Sequence, residues 1–282
     1  MNRFLKTVAA AASLAVGSAA ATSAASAGGV LDKVLESKTL TVAVGTDWGP
    51  VSHLNEKHEL EGYDVDVANE IAKSLGVEAK FVTPGWDIIT AGRWEGRWDM
   101  AMGQMTPTAA RADKFDFPAL YFYEQVFAVV HKDSKATKLA NLNGKTVGVT
   151  SNTTYEAYAS HTLTADWKGS IPVTYEFKPG AVKAYTSANM AFDDLRLGDG
   201  LRLDAVVTDG TSANNAIGAG YPLKFLGDPL YAAPGAIAVL HRDKEFSDRV
   251  TAAIQQMRDK GTLSKLSMKW YGTDYTTGKK KS

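Results

Sequence analysis

Val126-Phe127-Ala128-Val129-Val130-His131-Lys132-Asp133 and Ala236-Ile237-Ala238-Val239-Leu240-His241-Arg242-Asp243 are one pattern written twice, 110 residues apart. Each is a short apolar run, rich in β-branched and small residues, that stops at His, a basic residue and Asp. That is the composition of a buried strand leaving its sheet. A second echo accompanies the first: Gly96-Arg97-Trp98-Asp99-Met100-Ala101-Met102 is answered by Leu201-Arg202-Leu203-Asp204-Ala205-Val206-Val207. A turn, an Asp and a buried strand thus occur once in each half. The repeat predicts two similar lobes joined by two extended crossings, one near residue 125 and one near 235. The first lobe then takes residues 28–124 and 237–282, and the second, residues 125–236, is inserted into it. No low-complexity stretch separates them, so the joints are short strands rather than a flexible tether.

Strand and helix signals alternate around these echoes. Lys38 to Gly45 reads as a buried strand, and Gly62 to Val67 leads into a helix over Ala68 to Leu75 that Gly76 stops. Val77 to Val82 alternates like a strand, residues 86–96 read as a helix ending at Gly96, and Trp98 to Met102 reads as another strand. Phe246 to Tyr271 is helical, broken once at Gly261, and packs back on the first lobe. The fold class that follows is α/β, two Rossmann-like lobes with a largely parallel sheet.

Composition sets the outer limits. The chain has 282 residues, 31 basic and 31 acidic, 45% hydrophobic and without cysteine. Zero cysteine excludes disulfides, thiolate metal sites and thiol nucleophiles. Balanced charge gives no general pull toward nucleic acid or an anionic membrane. Arg3 and Lys6 precede an Ala-rich apolar stretch from Val8 to about Ala21, and Ala25-Ser26-Ala27 supplies the small residues of a cleavage site. Residues 1–27 therefore read as a signal peptide cleaved near Ala27, which predicts a periplasmic protein. Without them 29 basic residues face 31 acidic ones, a net charge of −2. No later stretch is apolar for long enough to span a bilayer. Lys279 to Ser282 reads as a solvated basic end.

No nucleophile elbow, phosphate-cradling Gly-rich loop or zinc helix is present, and the five histidines lack metal-ligand spacing. The expectation is a binding protein, not an enzyme, with no metal and no cofactor. What remains suits a zwitterion. Arg111 follows a polar turn, Gly103-Gln104-Met105-Thr106-Pro107-Thr108, after a buried strand, and its planar fork matches a carboxylate. Asp209 follows the strand Ala205 to Thr208 in the other half, where it can pair with an ammonium. Strand carboxyl ends are where α/β folds bind ligands. Taken singly, Arg111 is a helix-start arginine and Asp209 an N-cap; their parallel placement favours a site.

Gly62-Tyr63-Asp64-Val65-Asp66-Val67-Ala68-Asn69-Glu70-Ile71-Ala72-Lys73-Ser74-Leu75 resembles the signature of the family 3 bacterial extracellular solute-binding proteins. Also similar to that family in order and spacing are Asp99 leading to Thr106 and Arg111, Gly144 to Val149 leading to Thr153-Thr154, Asp204 to Asp209, and Gly261 to Gly272. The likeness runs from residue 36 to 275. It implies a type II-like two-lobed periplasmic binding protein, the receptor of an ABC importer, holding an α-amino acid in its cleft and presenting it, as a monomer, to a membrane permease. It implies that Arg111 clamps the α-carboxylate with Thr106, that Asp209 holds the α-ammonium with the carbonyl of Gln104, and that Thr154, beside Thr153, closes from the second lobe. Trp86 matches an aromatic that packs on the ligand side chain, with core packing as its competing explanation. The loop Thr46-Asp47-Trp48-Gly49-Pro50-Val51 is shorter than the family's. Trp48 takes the place of the aromatic that covers the ligand; Asp47 either faces the ligand side chain, as in receptors for basic amino acids, or caps a turn. Gln104 puts an amide where relatives carry little bulk, and Asp64 and Asp66 serve the helix start. Two alternatives stay open: a receptor for an amino-acid derivative such as an opine, and a periplasmic cyclohexadienyl or arogenate dehydratase, for which Glu124 is the one acid to nominate.

Overall fold

The computed structural model describes residues 29–241 and 243–277, so the signal-peptide reading of residues 1–27 and the basic end at Lys279 to Ser282 lie outside the described residues. In chain order the elements are α1 (Val30–Ser37), β1 (Thr39–Ala43), β2 (His53–Leu54), β3 (Leu60–Glu61), α2 (Tyr63–Leu75), β4 (Glu78–Val82), α3 (Trp86–Ala91), β5 (Met100–Met105), α4 (Ala109–Ala112) and β6 (Phe115–Asp116). There follow β7 (Leu120–His131), β8 (Thr146–Thr150), α5 (Thr154–Ala159), β9 (Ala181–Tyr185), α6 (Ala188–Leu195), β10 (Ala205–Asp209), α7 (Gly210–Gly218), β11 (Leu223–Leu240), α8 (Lys244–Asp259) and α9 (Thr262–Tyr271).

The main sheet runs β4-β1-β5-β11-β7-β10-β8-β9. β4, β1 and β5 are parallel, as are β10, β8 and β9. The two long central strands are antiparallel to each other and to their outer neighbours. The parallel character read from sequence therefore holds at each end of the sheet, and the middle is an antiparallel ribbon. Buried side chains cluster accordingly. Those of α1, β1, α2, β5, α8 and α9 pack on the first half of β7 and the last part of β11. Those of β8, α5 and β10 pack on the other halves of the same two strands. The molecule is two-lobed, and β7 and β11 run through both lobes.

The sequence echoes acquire a structural meaning here. Val126 to Val129 pairs antiparallel with the strand that follows Asp204, and Ala236 to Ala238 pairs antiparallel with the strand that follows Asp99. Asp99 accepts the amide of Thr41 at 2.8 Å and meets Lys33 at 2.9 Å; Asp204 accepts the amide of Thr146 at 2.8 Å and meets Lys145 at 3.3 Å. Each carboxylate ties the start of its strand to the neighbouring parallel strand.

Two boundaries differ from the sequence reading. α2 begins at Tyr63, because the carbonyls of Pro50 and Val51 accept the amides of Tyr63 and Asp64 at 3.0 Å and so satisfy its first orphan donors. Gly62 makes that close approach possible: its φ is +140°, and a Cβ would sit 2.4 Å from the Val51 carbonyl oxygen. α3 stops at Ala91 rather than reaching Gly96. Gly92 turns left-handed, and Trp94 folds back to donate its indole N–H to the Ile89 carbonyl at 2.9 Å. Burying that ring among Trp98 and Phe115 contributes about 1.5–3 kcal/mol. Gly261 breaks the C-terminal helix as expected, at φ +68°.

Candidate functional site

β5 delivers the first wall. At its end Gly103 and Gln104 take φ values of +140° and +53°. Gly103 must be glycine, since a Cβ there would lie 2.8 Å from the Trp48 ring and 2.9 Å from that of Trp86. Gln104 has no such freedom and is held by its neighbours: its amide N–H donates to the Tyr121 hydroxyl at 3.1 Å, which donates to Asp64 at 2.7 Å. Its side-chain amide donates to the Tyr271 hydroxyl at 2.9 Å, which ties the bulk noted in the sequence to α9. Asp64 is fully buried, and burial pushes its pKa up to about 8 against the pull of the Tyr121 hydrogen bond. It stands in the first turn of α2 as expected, but its carboxyl supports the turn at Gln104. Asp66 instead accepts from Lys269 and Trp270, joining α2 to α9.

Arg111 follows on α4. Its guanidinium donates to the Thr106 carbonyl and to the Asn152 carbonyl, both at 2.9 Å, and lies 5.7 Å over the Trp86 ring. Two of five N–H groups are thereby committed, and the rest are free for an anion. Trp48 meets Trp86 edge-on at 5.5 Å.

The second wall comes from the other lobe. Asp209 caps α7: one carboxylate oxygen accepts the Ser212 amide at 2.7 Å and the Thr211 hydroxyl at 2.6 Å. Its other oxygen accepts the Thr208 hydroxyl at 3.3 Å and lies 3.5 Å from the Tyr155 hydroxyl. Asp209 is therefore both an N-cap and a wall of the cavity. Thr153 caps α5, accepting from the Glu156 amide and donating to the Thr150 carbonyl. Thr154 beside it is buried.

Contacts cross the cleft. Trp86 donates its indole N–H to the Asn152 carbonyl at 3.1 Å, the same oxygen that Arg111 reaches. The Ala109 amide donates to Asp166 at 2.8 Å, and Asn189 donates to Asp47.

Between the walls lies about 810 Å³ of space, its mouth included. All nine residues singled out in the sequence line it: Asp47, Trp48, Trp86, Gln104, Thr106, Arg111, Thr153, Thr154 and Asp209. So do Glu124, Tyr155, Ser187, Asn189, Thr208, Ser212 and Asn215, which were not selected as ligand contacts. Signals for several were present. Ser187 and Asn189 stand where β9 turns into α6, the position Asp209 holds after β10. Glu124 is the one carboxylic acid in the twelve residues of β7. Among the described residues no group of three or more His, Asp or Glu could hold a metal, and no helix is long and apolar enough to cross a membrane.

A family model described as bacterial extracellular solute-binding proteins, family 3, matches residues 40–273. The L-cystine-binding protein TcyJ of Escherichia coli K12 is 32% identical over 251 residues, covering 88% of each chain. The arginine-binding protein ArgBP of T. maritima, as its P235GK mutant, superposes with a TM-score of 0.74 at 27% identity, covering 86% of this chain and 99% of that one. An ancestral amino-acid-binding protein described as a precursor of cyclohexadienyl dehydratase, AncCDT-1, superposes with a TM-score of 0.73 at 28% identity, covering 86% and 99%.

Proposed function

We propose that this chain, which belongs to the bacterial extracellular solute-binding proteins of family 3, is the amino-acid receptor of an ABC importer and works by closing two lobes on a zwitterion. The observation that carries this is the opposition of Arg111 and Asp209 across one cavity. The free N–H groups of Arg111 take the α-carboxylate, with Thr106 and Thr154 at its sides, and the Asp209 oxygen that does not cap α7 takes the α-ammonium with the carbonyl of Gln104. Trp48 and Trp86 flank the ligand side chain. Asp47, already bonded by Asn189, stands at the mouth. The lobes divide at 124/125 and 236/237, where β7 and β11 pass between them. A ligand bonded to both walls favours the closed state, and that difference in affinity is what shifts the population. Export with cleavage near Ala27, a monomeric state and delivery to a membrane permease complete the reading.

Scattering from the mature protein with L-cystine and with L-arginine tests it. Contraction at saturating ligand supports the reading, and no contraction with a bound ligand refutes bridging. Thermal shift across amino acids and opines identifies the class, because a ligand of the folded state raises the melting temperature. A dehydratase is the second reading, favoured by the likeness to AncCDT-1 and by a buried acid, Glu124, in the cleft. Turnover of prephenate or arogenate decides between them.

A further inference from the structure

Glu124 has no part in the binding scheme above, yet it is buried in the wall of the same cavity. It projects from β7 where that strand passes between the lobes, opposite Ala233 of β11. The Tyr155 hydroxyl lies 2.8 Å from one Glu124 oxygen and 3.5 Å from the Asp209 oxygen that does not cap α7. One hydroxyl carries one proton, so it cannot serve both carboxylates as donor. Two carboxyl groups joined by a single hydroxyl in a buried cleft are most stable when they hold one further proton between them. The charged and titratable groups that face Glu124 are Asp209, Tyr155, Tyr231 and Arg111. Burial, and then the Asp209 carboxylate, push its pKa up to about 8, against the opposing pull of Tyr155 and Arg111. The Tyr231 hydroxyl, which also faces Glu124, is itself buried.

We propose that Glu124 is a ligand-binding residue, and that the Glu124–Tyr155–Asp209 cluster receives the ligand's ammonium by giving up one proton. This rests on the amino-acid reading above. Before binding, Glu124 carries the proton and donates it to Tyr155, whose own proton turns toward Asp209. The arriving ammonium supplies a positive charge and a hydrogen-bond donor to the pair. Glu124 then ionises, its proton leaves to solvent, and Tyr155 donates to one carboxylate while the ammonium donates to the other. Charge balances: one cation enters and one proton departs. Affinity therefore rises with pH below the titration of Glu124, approaching tenfold per pH unit.

The experiment is calorimetry of the mature protein at pH 7 with L-arginine and with L-cystine, each in phosphate and in Tris, whose ionisation heats differ. The wild type is expected to release about half to one proton on binding, and Glu124→Gln close to none, with a slope of affinity against pH that flattens between pH 6 and 8. Protons exchanged by the amino acid itself are common to both forms and cancel. Binding with equal proton exchange in the two forms overturns the inference and leaves the amino-acid reading standing. No heat from either amino acid, together with no thermal shift from any other amino acid, refutes the amino-acid reading instead. A second measurement, the titration of the Glu124 carboxyl carbon by NMR in the unliganded wild type, needs neither variant nor ligand. Titration above pH 7 supports the proton-sharing pair, and titration below pH 5.5 overturns it.

Discussion

The two lobes begin alike and end differently. Asp99 and Asp204 make the same bond, at the same distance, to the amide of the neighbouring parallel strand, and each meets a lysine from the preceding segment. Five residues further on the resemblance ends. β10 delivers Asp209 straight into the cap of α7. β5 instead ends in two left-handed residues backed by Tyr121 and Asp64, and reaches its charged group, Arg111, only through a further turn and α4. The repeated scaffold fixes where strands end, and the unlike strand ends create unlike charges facing each other. A zwitterion needs that asymmetry, and a perfect repeat could not supply it.

The asymmetry is broken most strongly at its two poles. Asp209→Asn keeps the helix cap, since asparagine caps as well as aspartate, and removes only the charge. With the ligand ammonium then buried without the Asp209 carboxylate, affinity is expected to fall by about 3–5 kcal/mol in calorimetry. Asp209→Ala removes the cap as well, so it adds a stability loss of about 1 kcal/mol that the Asn variant lacks. Arg111→Lys retains charge but loses the fork, and its expected cost is about 1.5–3 kcal/mol of binding. Unchanged affinity in the lysine variant removes Arg111 from the carboxylate site.

The shared scaffold is tested by Asp99→Ala and Asp204→Ala. Each leaves a strand amide without its acceptor, so denaturant unfolding should show about 1–3 kcal/mol of lost stability in both, with little effect on affinity. A large loss in only one breaks the equivalence of the lobes. Asp64→Asn addresses the support that the second lobe does not have. The folded chain holds the Asp64 proton to about pH 8, whereas the unfolded chain releases it near pH 4. The unfolded state thus binds fewer protons across that interval, and raising the pH through it lowers stability. The asparagine variant should lose less of its melting temperature between pH 5 and 8 than the wild type, by several degrees. The smallest effect is expected at the cleft mouth, where Asn189→Ala should weaken ligand binding by about 0.2–1 kcal/mol through loss of the exposed bond to Asp47.

Much of this was legible in sequence, for identifiable reasons. Short-range repetition exposed the crossings and the paired aspartates, because a strand anchor is contiguous in the chain. Arg111 and Asp209 could be singled out because strand ends are readable from apolar runs. What escaped depends on contacts between distant segments. α2 starts early because Pro50 and Val51 cap it, and α3 ends early because Trp94 turns back onto Ile89. Asp64 looked like a helix-start residue, and only the fold brings Tyr121, 57 residues away, onto it. Glu124 could be nominated from sequence as the one acid for a dehydratase, but its neighbours Tyr155 and Asp209 come from separate elements of the second lobe.

The bond from Trp86 to the Asn152 carbonyl has an optical consequence. Of the six tryptophans in the chain, Trp48 and Trp86 line the cleft, and Trp86 alone spans it with its indole N–H. Trp94 and Trp98 are enclosed in the first lobe, Trp167 is buried in the second, and Trp270 is fastened to Asp66. When the lobes part, the Trp86 indole exchanges a protein carbonyl for water, while Arg111 withdraws from the same oxygen and the enclosed rings keep their surroundings. The emission wavelength of the unlabelled protein is therefore a gauge of cleft opening, and Trp86→Phe identifies which part of the signal the gauge supplies.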